Sequence, residues 1–149
     1  MRISVQEAPF DLGAESEAFA KDAEQIGAVV TFTGVVRDSD AGGMQAMEIE
    51  HYPGMTEKAL TAIAEEAQSR WDLGDVLVIH RHGRLVPGDR IMMVATAARH
   101  RVAAFEAAEF LMDYLKSRAP FWKKEISGEA ADWVAAKEAD EAALDRWTS

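Results

Sequence analysis

The apolar positions of this chain fall into two rhythms. Residues Arg2 to Gln6 alternate, which predicts a short strand. Ala28 to Arg37, AVVTFTGVVR, is rich in β-branched residues and predicts the best strand of the chain. Gly34 interrupts it, pointing to a bulge or a close approach by other atoms. A second strand is expected from Met44 to Tyr52, after the flexible loop DSDAGG and before a Pro53-Gly54 turn. Val76 to His82 and Arg90 to Ala98 read as strands joined through RLVPGDR, and Phe121 to Ile126 as a short one.

The helical rhythm appears four times. The first stretch, from about Ala14 to Gln25, turns Phe19, Ala23 and Ile26 inward, and Gly27 ends it. The second, Glu57 to Trp71, is capped by Thr56 and buries Leu60, Ile63, Ala64, Ala67 and Trp71. In the third, Val102, Phe105, Ala108, Met112 and Leu115 recur at spacings of three and four and are expected in the core. Pro120 stops that helix, since it has no N–H to donate and disfavours helical geometry at Ala119. The last, from about Glu129 to Trp147, is capped by Ser127 with Trp133, Ala136, Leu144 and Trp147 inward. Hairpins alternating with helices predict an α+β domain with a mainly antiparallel sheet flanked by helices. No repeat or linker divides the chain, so residues 1–149 are expected to form a single domain.

Charge changes the picture locally. The chain carries 16 Lys+Arg against 26 Asp+Glu, a formal net of −10. Residues 99–124 hold six Lys+Arg and three Asp+Glu, a net of +3, leaving −13 elsewhere. A basic segment in an acidic chain suggests an anion site, although lysines at a helix C-terminus also complement its dipole. The overall charge argues against nucleic-acid binding, which depends on neutralising phosphates. No run approaches the ~18 apolar residues of a membrane span, and the N-terminus lacks the pattern of a signal peptide, so no membrane association and a cytoplasmic location are expected. With no cysteine, a thiolate zinc site, a disulfide framework and a cysteine nucleophile are excluded. Any sulfur chemistry must take its sulfur from a partner.

His80 and His82 share a strand face but have no third ligand nearby, so no metal site is assigned. His51 and His80 read as satisfied structural histidines. His100 sits between Arg99 and Arg101 at a strand-to-helix junction, where helix N–H groups also welcome an anion. Arg37, before a flexible loop, suits an anion clamp or a solvated strand end. Lys116 and Lys123, either side of Pro120, are the strongest chemical candidates. Neighbouring cations and burial against Phe121 and Trp122 push a lysine below its usual ~10.4. Such a group can act as an acid, a base or a nucleophile, while a nearby phosphate makes it an electrostatic clamp.

Several segments together resemble the large, catalytic subunit of molybdopterin synthase. They are VVTFTGVVR (Val29 to Arg37), EHYPGMTEKAL (Glu50 to Leu60), the IHRHG…PGD hairpin (Ile79 to Asp89) and FEAAEFLMDYLKSRAPFWKKE (Phe105 to Glu125), with WVAAK and DRW near the end. The match covers nearly the whole chain. The resemblance implies an α/β-hammerhead-type fold and a sulfurtransferase needing no cofactor. That enzyme installs the two dithiolene sulfurs of molybdopterin on cyclic pyranopterin monophosphate, a step of molybdenum cofactor biosynthesis. Each sulfur arrives as a thiocarboxylate on the C-terminal glycine of a small ubiquitin-like sulfur-carrier subunit. The family forms a central homodimer within a heterotetramer.

Carried over position by position, the resemblance places substrate contacts on Phe32, Arg37, His100, Arg101, Met112, Lys116 and Lys123. Lys124 and Glu125 extend the last segment. Lys116 and Lys123 take the catalytic roles, and Arg37, His100 and Arg101 suit the phosphate. Two positions depart from the family pattern. Val35 stands where a lysine is frequent. Lys137 stands where an arginine can occur, keeping the charge for a substrate contact but losing the bidentate fork. The competing reading is a non-catalytic module that binds a phosphorylated metabolite or a partner's C-terminal tail.

Overall fold

The computed structural model describes residues 1–128, 130–134 and 138–148. In chain order the elements are β1 (Arg2–Gln6), α1 (Leu12–Ala18), β2 (Ala28–Val35), β3 (Ala46–His51), α2 (Met55–Trp71), β4 (Asp75–Arg81), β5 (Gly83–Leu85), β6 (Arg90–Ala98), α3 (Arg101–Ser117), β7 (Phe121–Ser127), β8 (Ala130–Trp133), α4 (Glu138–Ala143) and a 3₁₀ turn (Leu144–Trp147). The strands form two four-stranded sheets, ordered β1-β4-β6-β2 and β5-β3-β7-β8. Only β1 and β4 pair in parallel among the described ladders. The class is therefore α+β with antiparallel-dominated sheets flanked by helices. The single sheet expected becomes two because Gly83–Leu85 leaves β4 and pairs with Met47–Ile49 of β3.

In the first sheet every residue from Ile91 to Ala98 is buried. Both faces of that strand are covered, which suits an unbroken apolar run. Val76, Val78 and Val94 join the large core under α2 and α3, whereas Leu77, Ile79 and Met93 meet Phe10, Leu12 and Phe19 on the other side. Period-two alternation places His80 on the same face as Val76 and Val78.

Local departures from the expected elements have identifiable causes. α1 is capped by the Asp11 carboxylate, which accepts from the Ala14 N–H at 2.9 Å, and it ends at Ala18 rather than near Gln25. Phe19 turns extended there and packs into the smaller core. α2 starts at Met55, with Gly54 as N-cap, and its buried face is the expected one. Thr56, expected as the cap, is instead a buried residue of the first turn.

α3 buries Ala104, Ala107, Ala108, Phe110, Leu111 and Leu115, but Val102 and Phe105 are 62% and 60% exposed. The expected stripe is thus wrong in its first two turns. Alanines let the helix approach β6 closely enough for the Thr96 hydroxyl to donate to the Ala104 carbonyl at 2.7 Å. The long final helix is also overturned. Ala130–Trp133 pairs antiparallel with β7, and Trp133 is 55% exposed. Leu144 and Trp147 do turn inward, Trp147 packing edge-on to Trp71 and Phe110. Ala136 lies outside the described residues.

Candidate active site

β2 delivers Arg37. Its register shifts between Gly34 and Val35, the bulge that Gly34 suggested. A Cβ at Gly34 would lie 3.0 Å from Ile91 and 3.1 Å from Met92, so glycine also permits the close approach. Beyond the bulge, buried Val36 donates to Asp89 and accepts from Gly88, both at 2.8 Å. Arg37 is therefore held at its backbone but exposed at its side chain. Its guanidinium pairs with exposed Asp40 at 3.2 Å. Exposed pairs of this kind are typically worth ~0.2–1 kcal/mol, so a bound anion can displace the carboxylate.

The corner between α3 and β7 carries the lysines. Lys116 lies in the last turn of α3 and is exposed; Lys123 is half-buried on β7. The Thr56 hydroxyl ties the corner down, donating to the Pro120 carbonyl at 3.0 Å and accepting from the Tyr52 N–H at 2.9 Å. Arg118 faces away, hydrogen-bonded to Glu141 at 3.0 Å. Strand alternation puts Phe121, Lys123 and Glu125 on one face of β7 and Lys124 on the other. Lys124 lies over the Trp133 ring, 4.6 Å from its centroid.

An open cavity of about 790 Å³ lies between these elements. It brings together Phe32, Arg37, Met112, Lys116, Lys123 and Glu125. Lys124, His100 and Arg101 are not among its described lining residues. Lys137 lies outside the described residues. The arrangement presents cations from β2, α3 and β7 to one solvent-filled space. It can hold an anionic substrate and stabilise charge developing on it.

His100 and Arg101 form a separate cationic point at the start of α3. Gly27 sets the path there, because a Cβ on it would lie 2.3 Å from the Arg99 carbonyl oxygen. No acidic residue occupies the first turn of α3. The helix runs unbroken from Arg101–Ser117. At ~1.5 Å per residue, the backbones of Arg101 and Lys116 stand roughly 22 Å apart.

The cavity also contains His80, which sequence reasoning assigned a purely structural role. It is 5% exposed. Its Nδ1 donates to the Arg81 carbonyl at 2.8 Å. Its ring stacks on Phe121 with centroids 3.8 Å apart and planes inclined by 18°. Burial, opposed by the Arg81 hydrogen bond, pushes the imidazole from 6.5 down to about 3, and the charges of Lys123 and Lys116 push it the same way. A lone histidine on the apolar run DVLVIHR was the available signal. His82 does not share this environment; it packs on His51, with ring centroids 4.1 Å apart, and burial lowers its pKa also.

Fold and cavity together define a small α+β protein with a cationic cleft suited to an anionic metabolite. The MoaE protein family model matches residues 5–118. The chain is 70% identical over 147 residues to the molybdopterin synthase catalytic subunit of Cereibacter sphaeroides, covering 99% of this chain and 100% of that protein. It is 53% identical over 147 residues to the protein of the same name from Escherichia coli, covering 98% and 97%. Among solved structures, the molybdopterin biosynthesis MoaE protein of Burkholderia ambifaria superposes with a TM-score of 0.84 at 53% identity, over 99% of this chain and 97% of that one. Molybdopterin synthase from Staphylococcus aureus gives 0.82 at 31% identity, over 91% and 98%. The chain belongs to the MoaE protein family.

Proposed function

We propose that the cavity is the sulfur-transfer site of a molybdopterin synthase catalytic subunit, with the described chain acting as one domain. The observation that carries this reading is the convergence of Lys116 and Lys123, from different elements, on a space that Arg37 also enters. The substrate is cyclic pyranopterin monophosphate, and the product carries the dithiolene of molybdopterin. Sulfur comes from the C-terminal thiocarboxylate of a small ubiquitin-like subunit, because this chain has no cysteine. Lys116 and Lys123 face the carbons that receive sulfur, where oxygen leaves and protons move. Phe32, Met112 and Glu125 complete the substrate's surroundings. No described helix is long and apolar enough to cross a membrane; the reaction is assigned to the cytoplasm.

The same reading needs His100 and Arg101 for the phosphate, yet one chain holds them far from Lys116. A symmetric homodimer resolves this. β2 is the outer strand of its sheet, and Val29, Phe32 and Val35 on it are 47%, 43% and 54% exposed. Val102 and Phe105 add a further apolar surface beside the start of α3. Phe32 belongs to both this face and the cavity. A second copy packed there brings its own His100 and Arg101 toward the first copy's lysines, with Lys124 and Lys137 as further charged groups near the substrate. One small subunit at each end then makes the heterotetramer.

The deciding experiment incubates the purified chain with cyclic pyranopterin monophosphate and a thiocarboxylated small subunit. Formation of dithiolene product is expected. Tight pterin binding without any sulfurated product would instead mark a binding module.

A further inference from the structure

A buried histidine with one nitrogen committed to the backbone still has a second nitrogen. A carbonyl can only accept, so the bond to Arg81 puts the proton of His80 on Nδ1 and leaves a lone pair on Nε2. Among the described residues no buried side-chain nitrogen lacks a partner. Nε2 therefore meets either the solvent of the cavity that His80 lines or a neighbouring donor. Two restraints hold the ring in place, the Arg81 bond and the stack on Phe121. Lys123 is two residues beyond Phe121 on the same face of β7, and its charge acts on His80 more strongly than that of Lys116 or His82.

We propose that His80 is a positioning residue for sulfur transfer: its Nε2, a neutral acceptor on the cavity wall, takes a hydrogen bond from the Lys123 ammonium and aims that cation at the substrate. The inference rests on the reaction assigned above. Its chemical logic lies in the neutrality of the acceptor. A carboxylate partner would orient the ammonium but cancel its charge. A neutral imidazole orients it and leaves the charge for the oxygen that departs. Since burial keeps His80 uncharged at neutral pH, it does not repel the lysine it holds.

The test compares two variants in the assembled enzyme. His80→Asn keeps a donor near the Arg81 carbonyl and removes the acceptor at the ε position. His80→Gln places an amide oxygen near that position. Expected for His80→Asn is a kcat lower by about 10²-fold, the scale of a misplaced catalytic group, with little change in KM for the pterin. His80→Gln should recover at least about tenfold of that loss. The alkaline limb of the kcat–pH profile should move to lower pH in His80→Asn, because the Lys123 ammonium loses its acceptor. The groups that face the ring, Lys116, Lys123 and His82, remain in both variants. Wild-type turnover in His80→Asn, or equal losses in both variants with an unshifted profile, would overturn the proposal. Should both variants unfold, ¹⁵N NMR of the histidines in the intact protein decides. An unprotonated Nε2 whose shift changes in Lys123→Ala supports the contact, and a protonated Nε2 refutes it. Absence of product from the wild-type enzyme would instead strike at the assigned reaction.

Discussion

The hydroxyl of Thr56 donates to the carbonyl of Pro120 across 3.0 Å, joining the first turn of α2 to the corner from which β7 departs. The two residues are 64 apart in sequence, and Thr56 is fully buried. Because the same oxygen accepts from the Tyr52 N–H, one side chain satisfies two backbone groups and fixes the approach to Lys123. Thr56→Val keeps the shape and removes both bonds. It should destabilise the protein by about 1–3 kcal/mol, the cost of stranding a buried polar group, while Thr56→Ser should restore most of it. Urea unfolding measures both. Unchanged stability in Thr56→Val would mean that the corner is held by packing alone.

Lys116→Ala and Lys123→Ala should each lower turnover by about 10²–10³-fold, the usual effect of deleting one preorganised electrostatic group. The fold should survive, because Lys116 is exposed and neither side chain belongs to the core. Single-turnover formation of sulfurated pterin, alongside circular dichroism, is the measurement. Near-wild-type rates in both variants would remove these lysines from the mechanism.

The dimer reading makes a sharper claim. An inactive Arg101→Ala chain mixed with an inactive Lys116→Ala chain, with subunit exchange allowed, should regain part of the activity. Each mixed dimer then has one site with both defects and one with neither. If exchange is demonstrated by mass spectrometry and activity stays at the parental level, the site lies within a single chain.

His80 also makes stability depend on pH. In the folded protein it stays neutral down to about pH 3, whereas in the unfolded chain it titrates near 6.5. Between those values the unfolded state binds the extra proton. Its contribution is therefore complete above the unfolded pKa and is lost as pH falls toward the folded one. From about pH 7 to about pH 5 the loss should reach about 2 kcal/mol. His82, also shifted down, adds a smaller change of the same sign. Comparing wild type with His80→Gln by denaturant unfolding at both pH values isolates the effect; parallel pH dependences would show that His80 is not buried as described.

What could be read from the chain alone was whatever local chemistry dictates. β-branched runs declared β2 and β6, Pro120 ended α3, and Gly34 announced its bulge, because each effect acts within a few residues. The local excess of cations pointed to Lys116, Lys123 and Arg37 before any geometry was known. Other features depended on distant partners. The inward face of α3 was misjudged at Val102 and Phe105 because small alanines, not large apolar groups, meet β6. Ala130–Trp133 became a strand because β7 offered it a hydrogen-bonding edge, which no helical periodicity records. His80 looked like one polar residue in an apolar strand until Phe121 and the lysines were brought to it from other elements. The separation of Arg101 from Lys116 follows from helix length, which the sequence implies. Their distribution between one cavity and a separate surface was decided by packing, since the start of α3 is anchored on β6 and its end opens toward β7.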